Sequence, residues 1–420
     1  MFHNLCNRSP LHLHPEGKDS ACIAFAALAV YLWVLPTGGT IALRNLAFAG
    51  LIFITLWSAW RYKLRLHFPL AWPWLAYSLI AVVSLSYAAN PLLSLGEIKH
   101  EIGYGILILM LMATWVRNRR ALEFVLAAII LGDIFLVGAS LFKVTEADPF
   151  WRHPLAEINA LLHEGPGKDI YNGAGNFSTY LVTVMPFMAA YTFFQPSNRL
   201  WVRNSLTILL LLNVITIFLT GNRMGLMVLV AETLFAVAFL AITRSNISGR
   251  RMLIFPVIAL TLIGGLGWTQ FQLRPPVDDP RWPIWAWGVK DLFAAPLTGS
   301  GFGRTTLCTY DPAFCTTFQL EHAHNMILNK GVQMGFPGII AFLLLLATTL
   351  HALWPRRSLA ADTRLWGYAL AATTMCVGVF LKNMTDDFFI SHNALLFWAL
   401  VGAVSGAIAG EQEHAEPSHP

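Results

Sequence analysis

Apolar runs of about twenty residues recur along the whole chain, and short polar segments separate them. A helix of this length crosses the roughly 30 Å hydrocarbon core of a bilayer. None of the runs shows the ten-residue alternation of a membrane β-barrel strand. The pattern therefore predicts an all-α integral membrane protein with about twelve transmembrane helices. We place these helices at residues 21–36, 42–60, 69–88, 101–116, 121–142, 176–194, 205–220, 224–242, 252–268, 336–354, 365–383 and 390–409.

The composition agrees with this pattern. Of the 420 residues, 56% are hydrophobic and only 12% are charged, and the mean hydropathy is +0.57. These are too few charges to cover a soluble globule of this size. The net charge of +5 arises largely from basic residues in short turns, so it does not indicate a nucleic-acid partner.

Basic residues are concentrated in alternate turns. With the N-terminus inside, sixteen of the 28 Lys and Arg residues fall in cytoplasmic segments, and the other short turns are nearly free of them. The positive-inside rule therefore predicts that both termini are cytoplasmic. Because the first twenty residues lack a cleavage signal, we expect the first helix to act as an uncleaved insertion signal.

The turn lengths predict a single transmembrane bundle over residues 1–420, with a polar cytoplasmic tail at 410–420. Two long outside loops interrupt the bundle, at residues 143–175 and 269–335. Long loops in a compact fold usually carry function. We expect the larger of them, which is rich in Pro, Trp and Arg, to be the catalytic loop.

Within the larger loop, Arg281 to Phe293 has the spacing of a short helix at the outer membrane interface. Its predicted apolar face consists of Trp282, Trp285, Val289 and Leu292, and the tryptophans would anchor it at the interface.

Two cysteines, Cys308 and Cys315, share this loop. A disulfide between them is expected if the outside compartment is oxidising. Two free thiols are the alternative.

A polar cluster, Glu321-His322-Ala323-His324-Asn325, precedes the tenth predicted helix. Polar groups at a membrane boundary are costly to desolvate, so such a cluster marks a functional site by default. His322 and His324 would point to opposite sides of a helix, so a zinc site built from these two is weakly supported. One histidine acting as a general base fits better, with Glu321 or a loop carboxylate fixing its tautomer. A His-Asn cap on the next helix is the alternative.

Arginines provide the second feature. Arg223 stands in a tight outside turn between two apolar helices, where its charge is costly unless it snorkels or binds an anion. A guanidinium fork suits a phosphate group. Together with Arg281, Arg304 and Lys330 on the same face, Arg223 would form a cationic outer cavity for an anionic, lipid-linked substrate. A snorkelling Arg223 and a solvated Arg281 are the alternatives.

Two further motifs lie on this face. Gly335-Phe336-Pro337-Gly338 is predicted to begin the helix after the histidines. Asn383-Met384-Thr385-Asp386-Asp387 occupies the outside turn before the last helix. Its aspartates would coordinate a metal, orient a base or form a solvated turn.

These motifs resemble those of the O-antigen ligase family, which also includes O-antigen polymerases and protein O-oligosaccharyltransferases. The motif region covers about residues 205–345, and Met227 stands where the family often has leucine. The resemblance rests on Arg223, on Arg281-x-x-x-Trp285 leading to Pro296-Leu297-Thr298-Gly299-Ser300-Gly301, and on His324-Asn325 followed by Gly335-Phe336-Pro337-Gly338.

The resemblance implies a metal-independent, inverting glycosyltransferase of the GT-C type without a cofactor. Such an enzyme would transfer O-antigen from undecaprenyl pyrophosphate to a lipid A–core sugar hydroxyl, at the periplasmic face of the bacterial inner membrane among membrane lipids. Arg223 and Arg281 would hold the pyrophosphate and His324 would be the base. The residues expected to bind substrate are His322, Asn325, Arg304, Lys330 and Gly335.

Three other functions remain open from the sequence. An O-antigen polymerase would use the same donor with a second lipid-linked glycan as acceptor. A protein O-oligosaccharyltransferase tends to carry a larger periplasmic region after the bundle. A twelve-helix secondary transporter would need charged residues near helix midpoints and discontinuous helices, whereas the charges of this chain are expected to crowd at the outer mouth.

Overall fold

The computed structural model describes residues 17–146, 173–194, 200–243, 260–261, 263–269, 281–318, 322–356, 359 and 362–415. Over these ranges the chain forms helices and turns, without a β-strand. The helices are α1 (Gly17–Val34), α2 (Ile41–Tyr62), α3 (Ala71–Ser84), α4 (Pro91–Ile98), a π-helix (Lys99–Gly103), α5 (Tyr104–Trp115), α6 (Arg119–Glu146), α7 (Ala174–Phe194), α8 (Leu200–Leu219), α9 (Arg223–Thr243), α10 (Arg281–Ala294), α11 (Thr305–Tyr310), α12 (Pro312–Phe318), α13 (Met326–Leu353), α14 (Thr363–Lys382) and α15 (Ser391–Ala415).

In the part of the chain that the structure describes, nine helices are long and apolar enough to cross a membrane: α1, α2, α6, α7, α8, α9, α13, α14 and α15. The shorter α3 is also apolar. The prediction of an all-α, multi-pass membrane protein is confirmed, but the count of twelve spans is not. Eleven of the predicted spans coincide with described helices, and most of the span at 252–268 lies outside the described residues.

The predicted loops and tail are only partly covered. Most of the loop at 143–175 and the cluster residue Glu321 lie outside the described residues. At the C-terminal end, α15 continues to Ala415. The first half of the segment predicted as a tail at 410–420 is therefore helical.

A stripe of glycines fixes the last helix in the bundle. Gly402, Gly406 and Gly410 recur every fourth residue of α15, and a Cβ at any of them would collide with backbone carbonyls of α5 or of Arg117, just after α5. Small residues at this spacing let two membrane helices approach closely. The packing holds the later part of α15 close against α5.

The helix after the histidines begins earlier than predicted. It starts at Met326 and is broken at Gly335, whose φ of 65° and ψ of −165° are not helical. This positive φ favours glycine, and a Cβ there would also collide with the backbone of Pro296. The amide of Phe336 instead donates to the Pro296 carbonyl at 2.8 Å. Gly335 thus separates two helical segments of α13, and the motif begins the second of them as predicted, although a first segment at 326–334 precedes it.

The loop after α10 compensates for this break. Ser300 N donates to the Val332 carbonyl at 2.8 Å, and Gly301 N donates to the Gln333 carbonyl at 2.9 Å. Backbone groups freed from a membrane helix must find such partners inside the protein. The sequence motif around Gly299 and the motif around Gly335 are therefore two halves of one junction.

The interfacial helix α10 begins at Arg281, as predicted, but its inward face differs. Ile284, Gly288, Asp291 and Leu292 are buried, whereas Trp282 is 70% exposed. Gly288 brings the helix against Leu328 and Ala323, so α10 packs on the histidine segment. The helix is confirmed, its packed face differs from the predicted apolar face, and anchoring by the tryptophans at the interface stays a prediction.

The disulfide between Cys308 and Cys315 is present. It joins α11 to α12 in the segment that follows Arg304.

Two carboxyl groups lie inside the bundle. Asp133 of α6 is 0% exposed and Glu232 of α9 is 4% exposed. These two groups are exceptions to the expectation that the charges crowd at the outer mouth.

Candidate functional site

The histidine segment is fastened to the turn between α14 and α15. The side chain of Asn325 caps α13 by accepting from Leu328 N at 2.9 Å, and it donates to the Met384 carbonyl at 2.9 Å. Met326 N donates to the Asn383 carbonyl at 2.8 Å. Asn325 therefore has the capping role considered for it, and it joins two segments about sixty residues apart.

His324 pairs with Asp386 across this junction. Its Nδ1 lies 3.2 Å from Asp386 Oδ1, and its carbonyl accepts from Trp285 Nε1 at 3.4 Å. The backbone of His324 has a φ of 48°, a left-handed conformation that is uncommon outside glycine and often occurs at functional sites. The histidine is thus held by a carboxylate, an indole and an unusual backbone geometry.

Asp386 is buried among positive charges. Lys382 Nζ lies 3.1 Å from its Oδ2, and Arg281 Nη2 lies 3.7 Å from its Oδ1. Burial by itself would raise the pKa of Asp386, but Lys382, the hydrogen bond with His324 and the charge of Arg281 outweigh it and hold this pKa well below its usual value.

The ionised Asp386 can only accept hydrogen bonds, so the proton of a neutral His324 lies on Nδ1 and the lone pair on Nε2. This tautomer leaves Nε2 as a base. Three roles were considered for the turn aspartates, and the role of orienting a base fits this geometry. A solvated turn is excluded because the exposed fractions of Asp386 and Asp387 are only 4% and 5%.

Asp387 holds the neighbouring arginine. Arg304 Nη2 lies 2.9 Å from Asp387 Oδ2, and the Arg304 guanidinium also donates to the Asp387 carbonyl. Asn329 Nδ2 donates to the same carboxylate, and its Oδ1 accepts from Ala323 N at 2.7 Å. Burial opposes ionisation of Asp387, but nearby cations, led by Arg304, lower its pKa overall. Arg304 is thus joined to the histidine segment through Asp387 and Asn329.

His322 is a neutral imidazole beside the pair. Its ring centroid lies 4.3 Å from that of His324. Burial is the largest cause that lowers the pKa of His322 to about 3, and the charge of Arg304 is the second. Among the described residues, no hydrogen-bond partner reaches its buried Nε2.

A metal site is not evident at this junction. Within the described ranges, no group of three or more His, Cys, Asp or Glu side chains is placed to hold a metal ion. Both turn carboxylates are already neutralised, Asp386 by Lys382 and Arg281 and Asp387 by Arg304.

Lys330 lies deeper than the sequence suggested. It is 5% exposed, and its Nζ lies 2.6 Å from Glu101 Oε1 and 4.9 Å from the ring centroid of Phe302. Tyr77 donates to the same Glu101 oxygen at 3.0 Å. Glu101 belongs to the π-helix, a type of helix distortion frequent at functional sites. Lys330 therefore ties the first half of α13 to α3 and the π-helix.

Arg223 is half-buried at the first position of α9. Two residues later, a Cβ on Gly225 would lie 3.4 Å from the Ser178 side chain of α7. The start of α7 in turn meets the site turn, because Gly175 packs against the ring of Phe388. The helix that begins at Arg223 thus reaches the same end of the bundle as the His324 pair.

Most predicted site residues therefore converge, and they do so in different roles. His322, His324, Asn325, Arg281 and Arg304 surround the turn between α14 and α15. Lys330 lies inside the bundle, Gly335 lies at the helix break, and Arg223 begins α9.

Sequence reasoning missed Lys382, Asn329 and Glu101. Lys382 and Asp386 are four residues apart at the end of an apolar run, and Glu101 opens another predicted span, so both signals were readable. The contact of Asn329 with Asp387 depends on the tertiary fold.

A comparison with known proteins matches the part of the chain that carries several of these residues. Residues 208–343 match the family model described as O-antigen ligase. The matched region contains Arg223, Arg281, His324 and Gly335, and it ends before the turn that carries Asp386. A search of curated proteins gave no match. Residues 208–343 of this multi-pass membrane chain are thus similar to the O-antigen ligase family, which confirms the resemblance of its motifs.

Proposed function

We propose that the protein is a GT-C type, inverting glycosyltransferase that transfers O-antigen from undecaprenyl pyrophosphate to a hydroxyl of lipid A–core. The observation that carries this proposal is the pairing of His324 with the buried Asp386 beside Arg281. One candidate base and one candidate phosphate ligand of the family motif approach the same carboxylate oxygen, at 3.2 Å and 3.7 Å.

In the proposed reaction, His324 Nε2 accepts the proton of the acceptor hydroxyl as its oxygen attacks the anomeric carbon of the donor. The bond from that carbon to the pyrophosphate oxygen breaks, and undecaprenyl pyrophosphate leaves with the electron pair. A single displacement inverts the configuration. Asp386 is a positioning residue, because it fixes the tautomer of His324 and stabilises the imidazolium that forms.

The leaving group is stabilised by arginines in this proposal. Arg223 and Arg281 donate to the pyrophosphate oxygens, whose negative charge grows as the bond breaks. A guanidinium has five N–H donors, so Arg281 can contact both Asp386 and a phosphate. Fixed cations of this kind can replace a metal ion, and we therefore propose a metal-independent reaction without a cofactor.

The remaining predicted residues take supporting roles. The neutral His322 offers its Nε2 to a sugar hydroxyl, and Arg304, which Asp387 holds, supplies positive charge beside it. Asn325 positions the histidine segment, Lys330 stabilises the wall formed by α13, and Gly335 provides the helix break that fits the loop after α10. These roles are supported by the contacts of each residue.

We further propose that this end of the bundle faces the periplasm of the inner membrane, with both termini in the cytoplasm. The disulfide between Cys308 and Cys315 supports this orientation, because disulfides persist in oxidising compartments. The distribution of basic residues supports the same orientation. The domain organisation is then one transmembrane bundle with periplasmic loops at 143–175 and 269–335.

A reconstituted transfer assay tests the proposal. Purified protein in nanodiscs is mixed with lipid-linked O-antigen and lipid A–core in EDTA. Formation of capped lipopolysaccharide supports the ligase. Growth of the glycan on its carrier without lipid A–core would identify a polymerase, and a strict requirement for a divalent cation would contradict the metal-independent mechanism.

A further inference from the structure

The turn between α2 and α3 forms a basic surface at the end of the bundle opposite the candidate site. It lies against the last turn of α5, where Thr114 Oγ1 accepts from the backbone N–H of His67 at 3.0 Å. The other end of α5 follows the π-helix, in which Glu101 contacts Lys330 on the side of the candidate site. Three side chains of the turn are basic and exposed: Arg61, Lys63 and Arg65.

The backbone of this turn is held in a fixed conformation. The N–H groups of Lys63 and Leu64 both donate to the carbonyl of Ser58, at the end of α2. Leu64 is buried and lies between the two exposed cations Lys63 and Arg65. The bond from His67 to α5 fixes the other end of the segment. Membrane topology requires only the charge of these residues, so their fixed arrangement calls for a further explanation.

Lys63 occupies a backbone position that favours glycine. It follows the last residue of α2 with a φ of 57° and a ψ of 33°, the left-handed conformation in which helices commonly end on glycine. Lysine adopts this conformation at an energetic cost, and such positions often carry function. Arg61 already places a positive charge in the last turn of α2, so the helix dipole alone does not explain a second cation. The lysine at this position therefore indicates a use for its ammonium group.

The positive charges of the turn are not neutralised by the protein. Within the described ranges, neither Lys63 nor Arg65 forms an ion pair. A carboxylate does lie nearby, because burial and then Arg117 lower the pKa of His67 while Glu413 opposes them. Glu413, however, is bound by Arg117. The turn therefore presents positive charge to its surroundings.

Exposed tryptophans adjoin these cations. Trp57 and Trp60 lie in the last two turns of α2, and their ring centroids are 5.3 Å apart. Trp72, at the start of α3, is 80% exposed. Tryptophans of this kind lie at the level of the lipid headgroups, and Arg61 follows Trp57 by one helical turn. The surface thus offers apolar contact for acyl chains beside cations for a headgroup.

We propose that Arg61, Lys63 and Arg65 bind the headgroup of an anionic phospholipid, whose acyl chains lie along the adjoining tryptophans. Guanidinium and ammonium groups suit phosphate oxygens, and basic residues beside a membrane span attract anionic lipids. The fixed backbone lowers the cost of ordering these groups on binding. This inference does not depend on the proposed transfer reaction.

A lipid titration followed by native mass spectrometry tests the inference. The full-length protein in a neutral detergent is titrated with phosphatidylglycerol, and the matched probe is phosphatidylcholine with the same acyl chains. The first phosphatidylglycerol is expected to bind with a Kd at least about tenfold below that of phosphatidylcholine. The difference should shrink as the concentration of ammonium acetate rises, because salt screens exposed charges. Equal Kd values for the two lipids would overturn the proposal.

A pair of double variants locates the lipid. Lys63→Gln/Arg65→Gln is expected to raise the Kd for phosphatidylglycerol about 25-fold, since each basic residue near the headgroups contributes about fivefold. The matched control, Arg203→Gln/Arg356→Gln, removes two exposed arginines at the start of α8 and just after α13, at the same end of the bundle. It should leave the Kd nearly unchanged. Equal losses in both double variants would show that only the overall charge of this end attracts the lipid, and would refute the site.

Lys63→Gly separates the ammonium group from the backbone conformation. Glycine adopts a positive φ without steric cost, so the unfolding temperature is expected to be at least that of the wild type. The Kd for phosphatidylglycerol should nevertheless rise about fivefold. Thermal unfolding checks that every variant folds. Wild-type affinity in folded Lys63→Gly would contradict the use inferred for this lysine.

Discussion

Replacement of Asp386 by asparagine tests the pairing with His324 most sharply. The change keeps the shape of the side chain. It removes the negative charge of the carboxylate that Lys382, Arg281 and His324 contact. Lys382 would continue to donate to Oδ1 of the amide. The Nδ2 group would then face His324 Nδ1 and favour the proton on Nε2, the tautomer that cannot act as the proposed base.

The magnitude follows from the charges. A carboxylate about 4 Å from an imidazolium, at an effective dielectric constant of about 20, stabilises it by about 4 kcal/mol. At about 1.4 kcal/mol per decade, loss of that interaction lowers kcat by up to about a thousandfold. The buried Lys382 keeps a hydrogen bond but loses its countercharge, which destabilises the fold by up to about 3–5 kcal/mol.

The double variant Asp386→Asn/Lys382→Met separates catalysis from stability. Methionine fills the space of the lysine stem without its charge, so the unfolding temperature is expected to recover while kcat stays low. The assays are reconstituted transfer and thermal unfolding. A kcat within tenfold of wild type for folded Asp386→Asn would refute the reasoning, and recovery of turnover in the double variant would reduce Asp386 to a countercharge of Lys382.

Three further predictions concern other parts of the site. Arg281→Ala should raise the donor Kd about tenfold to a hundredfold, since charge-assisted hydrogen bonds are worth about 1.5–3 kcal/mol; an unchanged Kd in a titration with lipid pyrophosphate would contradict the clamp. Burial, followed by the charge of Asp311, raises the pKa of Asp291 to about 6. The protonated carboxyl group of Asp291 therefore stabilises the fold fully below pH 3.8, and this stabilisation is lost as the pH rises through about 6. Asp291→Asn should therefore raise the unfolding temperature at pH 8 and not at pH 3.5, and an equal effect at both pH values would count against this shift. Gly335→Ala should destabilise the fold by at least about 1–3 kcal/mol because the φ of Gly335 is positive. The matched control is Gly50→Ala, where the added Cβ meets open space. Equal unfolding temperatures for the two variants would contradict the strain at the Gly335 junction.

The local features of the fold were predictable from the sequence. Apolar runs set the positions of eleven described helices, because each must satisfy its own backbone in hydrocarbon. The start of α10 at Arg281 followed from helical spacing, and the Cys308–Cys315 disulfide from proximity in one loop. The choice of His324 as the candidate base remains a prediction.

Long-range features were not predictable in the same way. Asp386 is 62 residues from its partner His324, and only the packing of α13 beside α14 brings them together. The break at Gly335 depends on the loop at Pro296, which supplies the backbone partner. The inward face of α10 was missed because tryptophan at a membrane interface can face lipid as well as the core.

The most direct test of the central claim is the turnover of His324→Ala together with its donor affinity. A general base contributes about 10²–10⁴ to the rate, so kcat for transfer to lipid A–core should fall by at least about a hundredfold. The donor Kd should stay close to that of the wild type, because the proposed pyrophosphate ligands Arg223 and Arg281 are intact. A folded His324→Ala variant that transfers O-antigen at the wild-type rate would show that His324 is not the base.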